Sequence, residues 1–377
     1  MLYKTVGELI TKARVEKCGD GNYPVLSMTM HDGIVFQGDR FKKQIASSDQ
    51  STYNVARRNQ LVISFPIDEG VLAVQDITDA GIVSPAYKIW DVDQTQVLPK
   101  YLEAFLRSPY SIQYYKSKLR GTTARRRSIT DSDLLEMRLP LGTKKEQFFV
   151  LNTLERVKRI IGLRTQELQR LDDLVKARFV EMFGEQDRNP MGWDKCTIGE
   201  CCTLKSGTSL PSDKEDEGGP IPYIKVGDMN YPGNERYITT SSRYVSEETA
   251  GKGIFEVGSI LFPKRGGAIG TNKKRMTTLP ICADLNVMGV SSNGRHVPEY
   301  LLAYFDMIDL GSLSDCSSVP QINNKNIAPL EICIPPMRIQ NEFASIVKQV
   351  DKSKFAVQKA LDETQLLFDS LMQQYFG

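Results

Sequence analysis

The sequence has few of the residues that most catalytic and metal sites need. It contains two histidines, His31 and His296, and seven cysteines among its 377 residues. No CxxC pair occurs, and a structural zinc site takes about four such ligands. An odd number of cysteines, with Cys201 and Cys202 adjacent, does not fit a disulfide framework. We therefore expect buried structural thiols in a reducing cytoplasm, and no metal site.

Long apolar runs and a strong charge imbalance are also missing. No stretch approaches the ~18 consecutive apolar residues that a membrane helix needs, and the first residues lack the apolar core of a secretory signal. The net charge is only +2. A contact with nucleic acid would therefore rest on local clusters of cations and not on an overall field. We expect a cytoplasmic protein with no membrane partner.

The motifs of common catalytic sites are absent as well. The sequence has no GxxxxGK[ST] phosphate loop, GxSxG elbow or HExxH pair. GGAIG at 266–270 fits a turn beside a strand better than a phosphate loop. IPPM at 334–337 lacks the polar first residue and the aromatic residue of the adenine methyltransferase element, and the acidic run at 211–219 fits a solvated loop. A stand-alone methyltransferase or nuclease is thus an alternative that the motifs disfavour.

What the sequence does contain is a repeat of itself. The matching segments are TVGE (5–8) and TIGE (197–200), YPVLSM (23–28) and IPYIKV (221–226), NQLVIS (59–64) and GSILFP (258–263), and LPKYLEAF (98–105) and VPEYLLAY (297–304). The end of each half matches best, with Gln147 against Gln340 and a final FG in both. Since these matches share one order and a nearly constant offset, we infer a duplication.

Each half ends in a segment with heptad periodicity. Apolar residues recur there at alternating three- and four-residue steps, without an internal proline. Because such a seam needs a partner, we predict an antiparallel pair between the two segments, in preference to two helices that pack only on their own domains. Arg164, Arg178, Lys354 and Thr364 interrupt the seam. The predicted interface residues are Leu154, Val157, Ile161, Leu168, Leu171, Val175, Val347, Val350, Val357, Leu361, Phe368 and Leu371.

The rest of each half predicts a strand-rich mixed domain. Short β-type runs such as QLVISFP and SILFPK end at Gly or Pro, while PKYLEAFLRSPYSIQYYKSKL and PEYLLAYFDMI predict helices with a proline near the start. No sustained β–α alternation indicates a Rossmann unit. We predict an α+β chain with a pseudo-twofold repeat, in which two recognition domains are joined by two long antiparallel coiled-coil helices. The predicted segments are a first recognition domain (1–142), a first helix (143–184), a second recognition domain (185–335) and a second helix (336–377).

Both domains carry grouped cations beside turns, and we predict DNA contacts there. Arginine contacts phosphates and guanine edges, whereas amide side chains suit adenine edges. In the repeat, the triple-arginine loop of the first half corresponds to an amide-rich segment of the second half. This difference favours two homologous domains that recognise different DNA sequences. The candidate DNA-binding residues are Arg57, Arg58, Arg125, Arg126, Arg127, Ser128, Lys264, Arg265, Lys273, Lys274, Arg275, Gln321, Asn323, Asn324 and Lys325.

This pattern resembles the DNA-specificity subunits of Type I restriction–modification systems. The resemblance covers the whole chain and rests on the domain order and on TIGE followed by KSG (205–207), IPYIKVGDM, GSILFPKRGGAIG and IPPMRIQNEF. The first half departs more from the family pattern. The resemblance implies a non-catalytic subunit in which each target-recognition domain reads one half of a bipartite site in double-stranded DNA, and the helices set the spacer.

The family resemblance also implies partners. Two methyltransferase subunits would dock on this chain and bring S-adenosylmethionine, and restriction subunits would bring ATP and Mg²⁺, so that no cofactor is expected on this chain. One alternative is a methylation-only or other phage-defence specificity scaffold. Another is a coiled-coil adaptor without a DNA role, which sequence-selective and salt-dependent DNA binding would exclude.

Overall fold

The computed structural model describes residues 2–30, 32–40, 50–119, 128–315 and 318–377. The chain divides into two compact units of mixed helix and sheet. The first unit comprises Met1–Thr165 and Lys359–Gly377, and the second comprises Gln166–Gln358. Among the described residues, no helix is both long and apolar enough to cross a membrane.

The first unit holds several small, mostly antiparallel sheets. Its strands are β1 (Leu2–Thr5), β2 (Ile10–Lys12), β3 (Glu16–Lys17), β4 (Leu26–Thr29), β5 (Gly33–Phe36), β6 (Asn54–Arg57), β7 (Leu61–Ile63), β8 (Leu72–Val74), β9 (Ala80–Val83), β10 (Lys88–Val92) and β11 (Arg138–Leu141). The sheet orders are β1-β11, β2-β10-β7-β8, β3-β6-β9 and β4-β5. Its helices are α1 (Gln37–Arg40), α2 (Pro99–Leu106), α3 (Pro109–Lys118) and α4 (Asp131–Leu135), with 3-10 turns at Val6–Glu8 and Ile67–Glu69. The first long helix, α5 (Lys144–Phe183), follows.

The second unit has a larger central sheet. Its strands are β12 (Lys195–Thr197), β13 (Cys202–Ser206), β14 (Ile221–Ile224), β15 (Tyr237–Ile238), β16 (Tyr244–Val245), β17 (Ile260–Pro263), β18 (Arg275–Thr277), β19 (Cys282–Ala283), β20 (Val287–Ser292) and β21 (Glu331–Cys333). The sheet orders are β13-β20-β17-β18-β15, β16-β14-β19 and β12-β21. Its helices are α6 (Ile198–Cys201), α7 (Glu247–Ala250), α8 (Pro298–Asp306), α9 (Leu310–Leu313) and α10 (Asn324–Ile327), with 3-10 turns at Val226–Asn230, Gly251–Gly253 and Gly266–Thr271. The second long helix is α11 (Met337–Phe376).

One helix that the sequence predicts as continuous is in fact two. The segment after Leu98 forms α2 and then α3, and both begin with a proline. The Ser108 side chain accepts a hydrogen bond from the Ser111 amide at 3.2 Å and so caps the second helix. Proline at the first helical position needs no amide donor, and it disfavours helical backbone in the residue before it. The helix therefore stops and restarts at this point.

The long helices lie antiparallel within each unit. In the first unit the Arg164 guanidinium donates to the Ala360 carbonyl and to the Thr364 hydroxyl. In the second unit the Lys354 ammonium lies 2.7 Å from the Asp172 carboxylate. Polar groups that interrupt the apolar seam thus find partners on the facing helix, which stabilises one register.

The predicted seam residues lie on the facing side of the helices, together with residues of the mixed helix and sheet regions. Leu154, Val157, Val175, Val347 and Val350 are buried, while Ile161, Leu168, Leu171, Val357, Leu361, Phe368 and Leu371 are partly buried. The prediction that Arg178 interrupts the seam is wrong. Arg178 is exposed and pairs with Glu181, whereas its neighbour Phe179 is 1% exposed and packs on Phe343. A four-residue step from Val175 places the aromatic ring inside and the guanidinium in solvent.

Near the start of each long helix, a buried glutamine makes the same set of contacts. The Gln147 side chain accepts from the Leu98 amide at 2.8 Å and donates to the carbonyls of Gln96 and Gly142 at 3.0 and 2.9 Å. In the second unit the Gln340 side chain accepts from the Val297 amide at 2.9 Å. It donates to the carbonyls of Arg295 and Pro335, at 3.1 and 2.7 Å. Each buried glutamine therefore ties a long helix to the loop before α2 or α8.

The TVGE and TIGE segments also adopt one conformation. Each forms a capped turn after a short strand, in which the glutamate at the third helical position accepts from the backbone amide of the threonine that precedes the turn. The turns lead into β2 and β13 respectively. In each half the glutamate carboxylate thus gives the threonine amide a hydrogen-bond acceptor, which explains why Thr and Glu stand three residues apart.

Candidate nucleic-acid interface

In the second unit, the loop after β17 carries two of the predicted cations to an edge of the domain. Arg265 is exposed and its backbone pairs with Gln321 in an isolated bridge. The Lys264 ammonium donates to the Ser206 hydroxyl at 2.9 Å. We name this surface the Lys264 edge, and it consists of Lys264, Arg265, Ser206 and Gln321. Three chain segments thus bring a cation pair, a hydroxyl and an amide together.

The KSG segment needs its glycine for this arrangement. A Cβ atom on Gly207 would lie 2.1 Å from the Asp284 carbonyl oxygen, far inside van der Waals contact. The Gly207 amide donates to the Val287 carbonyl at 2.9 Å, which holds the loop against β20. The close approach places Ser206 within reach of Lys264. The KSG pattern alone gives no signal for this role of Ser206.

The amide-rich segment after Gln321 forms the start of α10. Asn324 and Lys325 are exposed on α10, where they are free to meet a large ligand. Asn323 instead takes the N-cap position of this helix, and its backbone amide donates to the Asn326 side chain at 2.9 Å. The side chain in this hydrogen bond belongs to Asn326, so Asn323 stays a candidate together with Asn324 and Lys325.

The cations at 273–275 have different surroundings from the Lys264 edge. Lys273 is half-buried and donates to the Asn230 side chain. Arg275 donates to the Lys274 and Met229 carbonyls, at 2.9 and 3.4 Å. These contacts pin the 226–230 turn to β18. The sequence places both groups of cations in one loop, but the structure gives them different partners.

Lys274 does not suit the predicted DNA contact. It is 5% exposed, and its ammonium donates to the Asn272 side chain at 2.7 Å and to the Ile308 carbonyl at 2.6 Å. Burial lowers the pKa of Lys274 to about 8, although Asp306 and Asp309 oppose this shift. An ammonium held inside the domain is not available to a phosphate, so this residue leaves the candidate set.

In the first unit, the predicted cations Arg57 and Arg58 are exposed but paired. The Arg57 guanidinium lies 2.6 Å from Glu16, and this hydrogen bond raises the pKa of Arg57. Arg58 lies 3.0 Å from the Asp79 carboxylate and donates to the Asp76 carbonyl at 2.5 Å. Exposed ion pairs of this kind are weak, and a phosphate could exchange with the carboxylates.

The predicted triple-arginine loop, Arg125–Arg127, lies outside the described residues. Its neighbour Ser128 is half-buried and lines a small cavity with Phe65, Lys88 and Asp131. Asp131 accepts from Lys88 at 2.6 Å and from Lys12 at 3.3 Å. Partial burial acts to raise the pKa of Asp131, but these two cations lower it overall. Residue spacing gives no signal for Lys12 and Lys88, because strands distant in sequence bring them to Asp131.

A family model matches the second half of the chain. Residues 190–364 match the Type I restriction modification DNA specificity domain. The second half of this chain is therefore similar to the Type I DNA-specificity domain family. The match contains the whole Lys264 edge, from Ser206 to Gln321. The matched domain type confers DNA specificity in Type I restriction–modification systems.

The proteins to which this chain is similar are distant from it in sequence. It is 20% identical over 298 residues to the Type I restriction enzyme MjaIX specificity subunit of Methanocaldococcus jannaschii, a match that spans 73% of this chain and 68% of the relative. Two solved structures share its fold over 100% of its length. One comes from work on complex assembly and conformational transition of the type I R-M system, with a TM-score of 0.64, 19% identity and 97% of that chain covered. The other is the Type-I restriction-modification system S subunit from M. genitalium, with a TM-score of 0.55, 16% identity and 96% covered.

Proposed function

We propose that the two recognition domains of this specificity subunit each read one half of a bipartite site in double-stranded DNA. The observation that carries the proposal is a structural repeat whose two copies bear different side chains at matching positions. Gln147 and Gln340 anchor the two domains through matching hydrogen bonds. Yet β7 leads into the acidic turn Ile67–Glu69, whereas β17 leads into Lys264 and Arg265. A duplicated frame with different side chains at matching places suits two different half-sites.

We further propose that the long helices set the distance between the half-sites. Each helix has 40 residues, or roughly 60 Å at 1.5 Å per residue. Half-sites on one face of DNA lie ~34–36 Å apart for each helical turn, so a rod of this length is sufficient. The paired interruptions, Arg164 with Thr364 and Lys354 with Asp172, favour a single register and hence a fixed distance.

Partner subunits complete this function. Two methyltransferase subunits dock on the helices and domains and bring S-adenosylmethionine, while restriction subunits bring ATP and Mg²⁺. The long helices support docking because they expose large apolar side chains, and such surfaces are typical of protein interfaces. The exposed side chains are Phe148, Phe149, Phe355, Leu366 and Leu367.

Altering one reader and sequencing the methylated product tests the proposal. The complex with its methyltransferase subunits would carry Lys264→Ala together with Arg265→Ala, and modified bases would be mapped on a plasmid library with random sequence. We expect one half-site to lose sequence preference while the other half-site and the spacer stay unchanged. Removal of each phosphate contact should also reduce the salt slope of DNA binding by ~1.

The matched control is Lys252→Ala, an exposed lysine of the same unit outside the Lys264 edge. It should leave the mapped motif and the salt slope unchanged. Loss of preference in both half-sites at once, or an unchanged motif in the double variant, would contradict the assignment of one reader to each half-site.

A further inference from the structure

A cluster of soft ligand atoms lies at the base of the second recognition domain. Cys196 on β12, Cys201 at the end of α6 and His296 just before α8 each place one ligand atom within 4.8 Å of the others. All three side chains are buried, with 7%, 0% and 3% of their surface exposed. The sequence favours plain structural thiols here, because no CxxC pair occurs and few residues could complete a four-ligand site.

The orientation of the His296 ring indicates a ligand. Its Nε2 atom lies 3.0 Å from the Cys333 carbonyl oxygen, and since a carbonyl only accepts, Nε2 carries the proton. The Nδ1 atom of the neutral ring therefore has a free lone pair. This atom is buried and has no hydrogen-bond partner in the described structure. A ring nitrogen anchored to a backbone carbonyl while the other nitrogen stays bare is the usual arrangement of a metal-binding histidine.

The ring is also held against rotation. His296 stacks on Tyr300 with ring centres 5.4 Å apart and planes inclined by 8°. The Tyr300 hydroxyl donates to the same Cys333 carbonyl at 3.1 Å. The unpartnered Nδ1 atom therefore cannot reach another donor without loss of the stacking and the Nε2 hydrogen bond. A buried acceptor left without a partner costs free energy, which a bound cation would offset.

We propose that Cys196, Cys201 and His296 bind a thiophilic divalent cation, Zn²⁺, that ties β12, α6 and the start of α8 together. Two thiolates and a neutral imidazole balance the charge of Zn²⁺, so the complex suits a buried site. With Zn–S bonds of about 2.3 Å, two sulfur atoms of a tetrahedral site lie ~3.8 Å apart. The present separations need to shrink by at most about 1 Å.

Binding exchanges protons for the metal. Burial raises the pKa of the Cys196 thiol to about 12 and that of the Cys201 thiol to about 11, and Cys201 Sγ donates to the Thr197 carbonyl at 3.0 Å. Both thiols thus keep their protons in the metal-free protein, and each S–H bond breaks as its S–Zn bond forms. Two protons leave to solvent for each Zn²⁺ bound, with no change of oxidation state.

The test measures metal on the full chain purified with its methyltransferase subunits from zinc-supplemented cells. We expect one zinc ion per chain by elemental analysis. X-ray absorption at the zinc edge should show two sulfur ligands at about 2.3 Å and a nitrogen ligand at about 2.0–2.1 Å. Cys196→Ser and His296→Gln should reduce the zinc content to background.

The matched control is Cys282→Ala, a buried free cysteine of the same unit outside the cluster. It should keep the full zinc content. If the ligand variants fail to fold, the absorption spectrum of the natural chain decides alone. Zinc with oxygen and nitrogen ligands only, zinc content in the natural chain at the Cys196→Ser level, or a Cys196–Cys201 disulfide in the purified protein would each overturn the proposal.

Discussion

Gln147 and Gln340 make equivalent hydrogen bonds in the two units, although the halves of the chain differ elsewhere. Each side chain accepts from the amide just before a proline-initiated helix and donates to two carbonyls. They are 1% and 0% exposed. Loss of this buried glutamine side chain would leave one backbone amide and two carbonyls without partners. This explains why both halves have glutamine at this position.

Alanine at either glutamine should destabilise its own unit to a similar extent. Gln147→Ala and Gln340→Ala each leave one backbone amide and two carbonyls without a hydrogen-bond partner. We expect a loss of about 3 kcal/mol in the free energy of unfolding. Urea denaturation followed by circular dichroism measures it. Gln349→Ala, at an exposed position of α11, is the control and should change the midpoint little. Equal midpoints for all three variants would argue against the anchoring role.

Substitution of two phenylalanines of α11 should have different effects on the free energy of unfolding, because one side chain is buried and the other is exposed. Phe343 is fully buried, with its ring centre 5.6 Å from Phe179 and 5.4 Å from Phe183. Phe343→Ala should lower the free energy of unfolding by about 3–5 kcal/mol. Phe355 is 75% exposed, so Phe355→Ala should change stability by less than ~0.5 kcal/mol.

The same pair of variants tests the docking surface. Titration calorimetry with the purified methyltransferase subunit should show weaker binding for Phe355→Ala, because an exposed aromatic side chain in an interface contributes much of its energy. Unchanged binding by this stably folded variant would remove Phe355 from the proposed interface.

Buried Lys274 should make stability depend on alkaline pH. Its folded pKa, about 8, lies below the ordinary value of 10.5. Between these values the unfolded chain holds more protons than the folded chain, so stability rises with pH across this window. Below about pH 8 both states carry the charge, and the folded state bears the full cost of burying it. Lys274→Met should remove this part of the rise in urea midpoint from about pH 7 to about pH 10.

The matched variant is Lys273→Met, because Lys273 is adjacent and only half-buried. Its midpoint should follow the pH dependence of the natural chain. A slope that Lys274→Met leaves intact would mean that the Lys274 pKa is not shifted by burial.

The Lys354–Asp172 pair should contribute little to stability and more to register. Their side chains are 25% and 39% exposed, so solvent screens the attraction and a double-mutant cycle should give a coupling of about 0.5 kcal/mol. Lys354→Ala, Asp172→Ala and the double variant supply the cycle. The coupling should fall in high salt, and a coupling that salt leaves unchanged would mean the pair is not electrostatic.

Local sequence signals predicted the elements well, because their causes are local. Periodicity placed both long helices, which end at Phe183 and Phe376. Proline at the first helical turn marked α2 and α8. Periodicity wrongly placed Arg178 in the seam in place of Phe179, because steps of three and four residues from Val175 both fit a heptad. Packing against Tyr300 and Phe343 makes that choice, and it depends on residues distant in sequence.

The candidate site was predicted less completely, for the same physical reason. Lys264 and Lys274 have similar local surroundings in sequence. Yet Lys264 donates to the Ser206 hydroxyl, whereas Lys274 donates to the Ile308 carbonyl. The cluster of Cys196, Cys201 and His296 likewise forms only when β12 meets the start of α8. Burial and partner choice follow from tertiary contacts that residue spacing does not contain.

Mapping of the methylated motif after shortening both long helices tests the spacer role most directly. Deletion of residues 162–168 and 358–364 removes one heptad from each helix, and it removes Arg164 together with its partner Thr364. The heptad corresponds to ~10 Å of helix, or about three base pairs at 3.4 Å each. We predict the same two half-site sequences with a spacer shorter by about that amount. An altered half-site with an unchanged spacer would contradict the account.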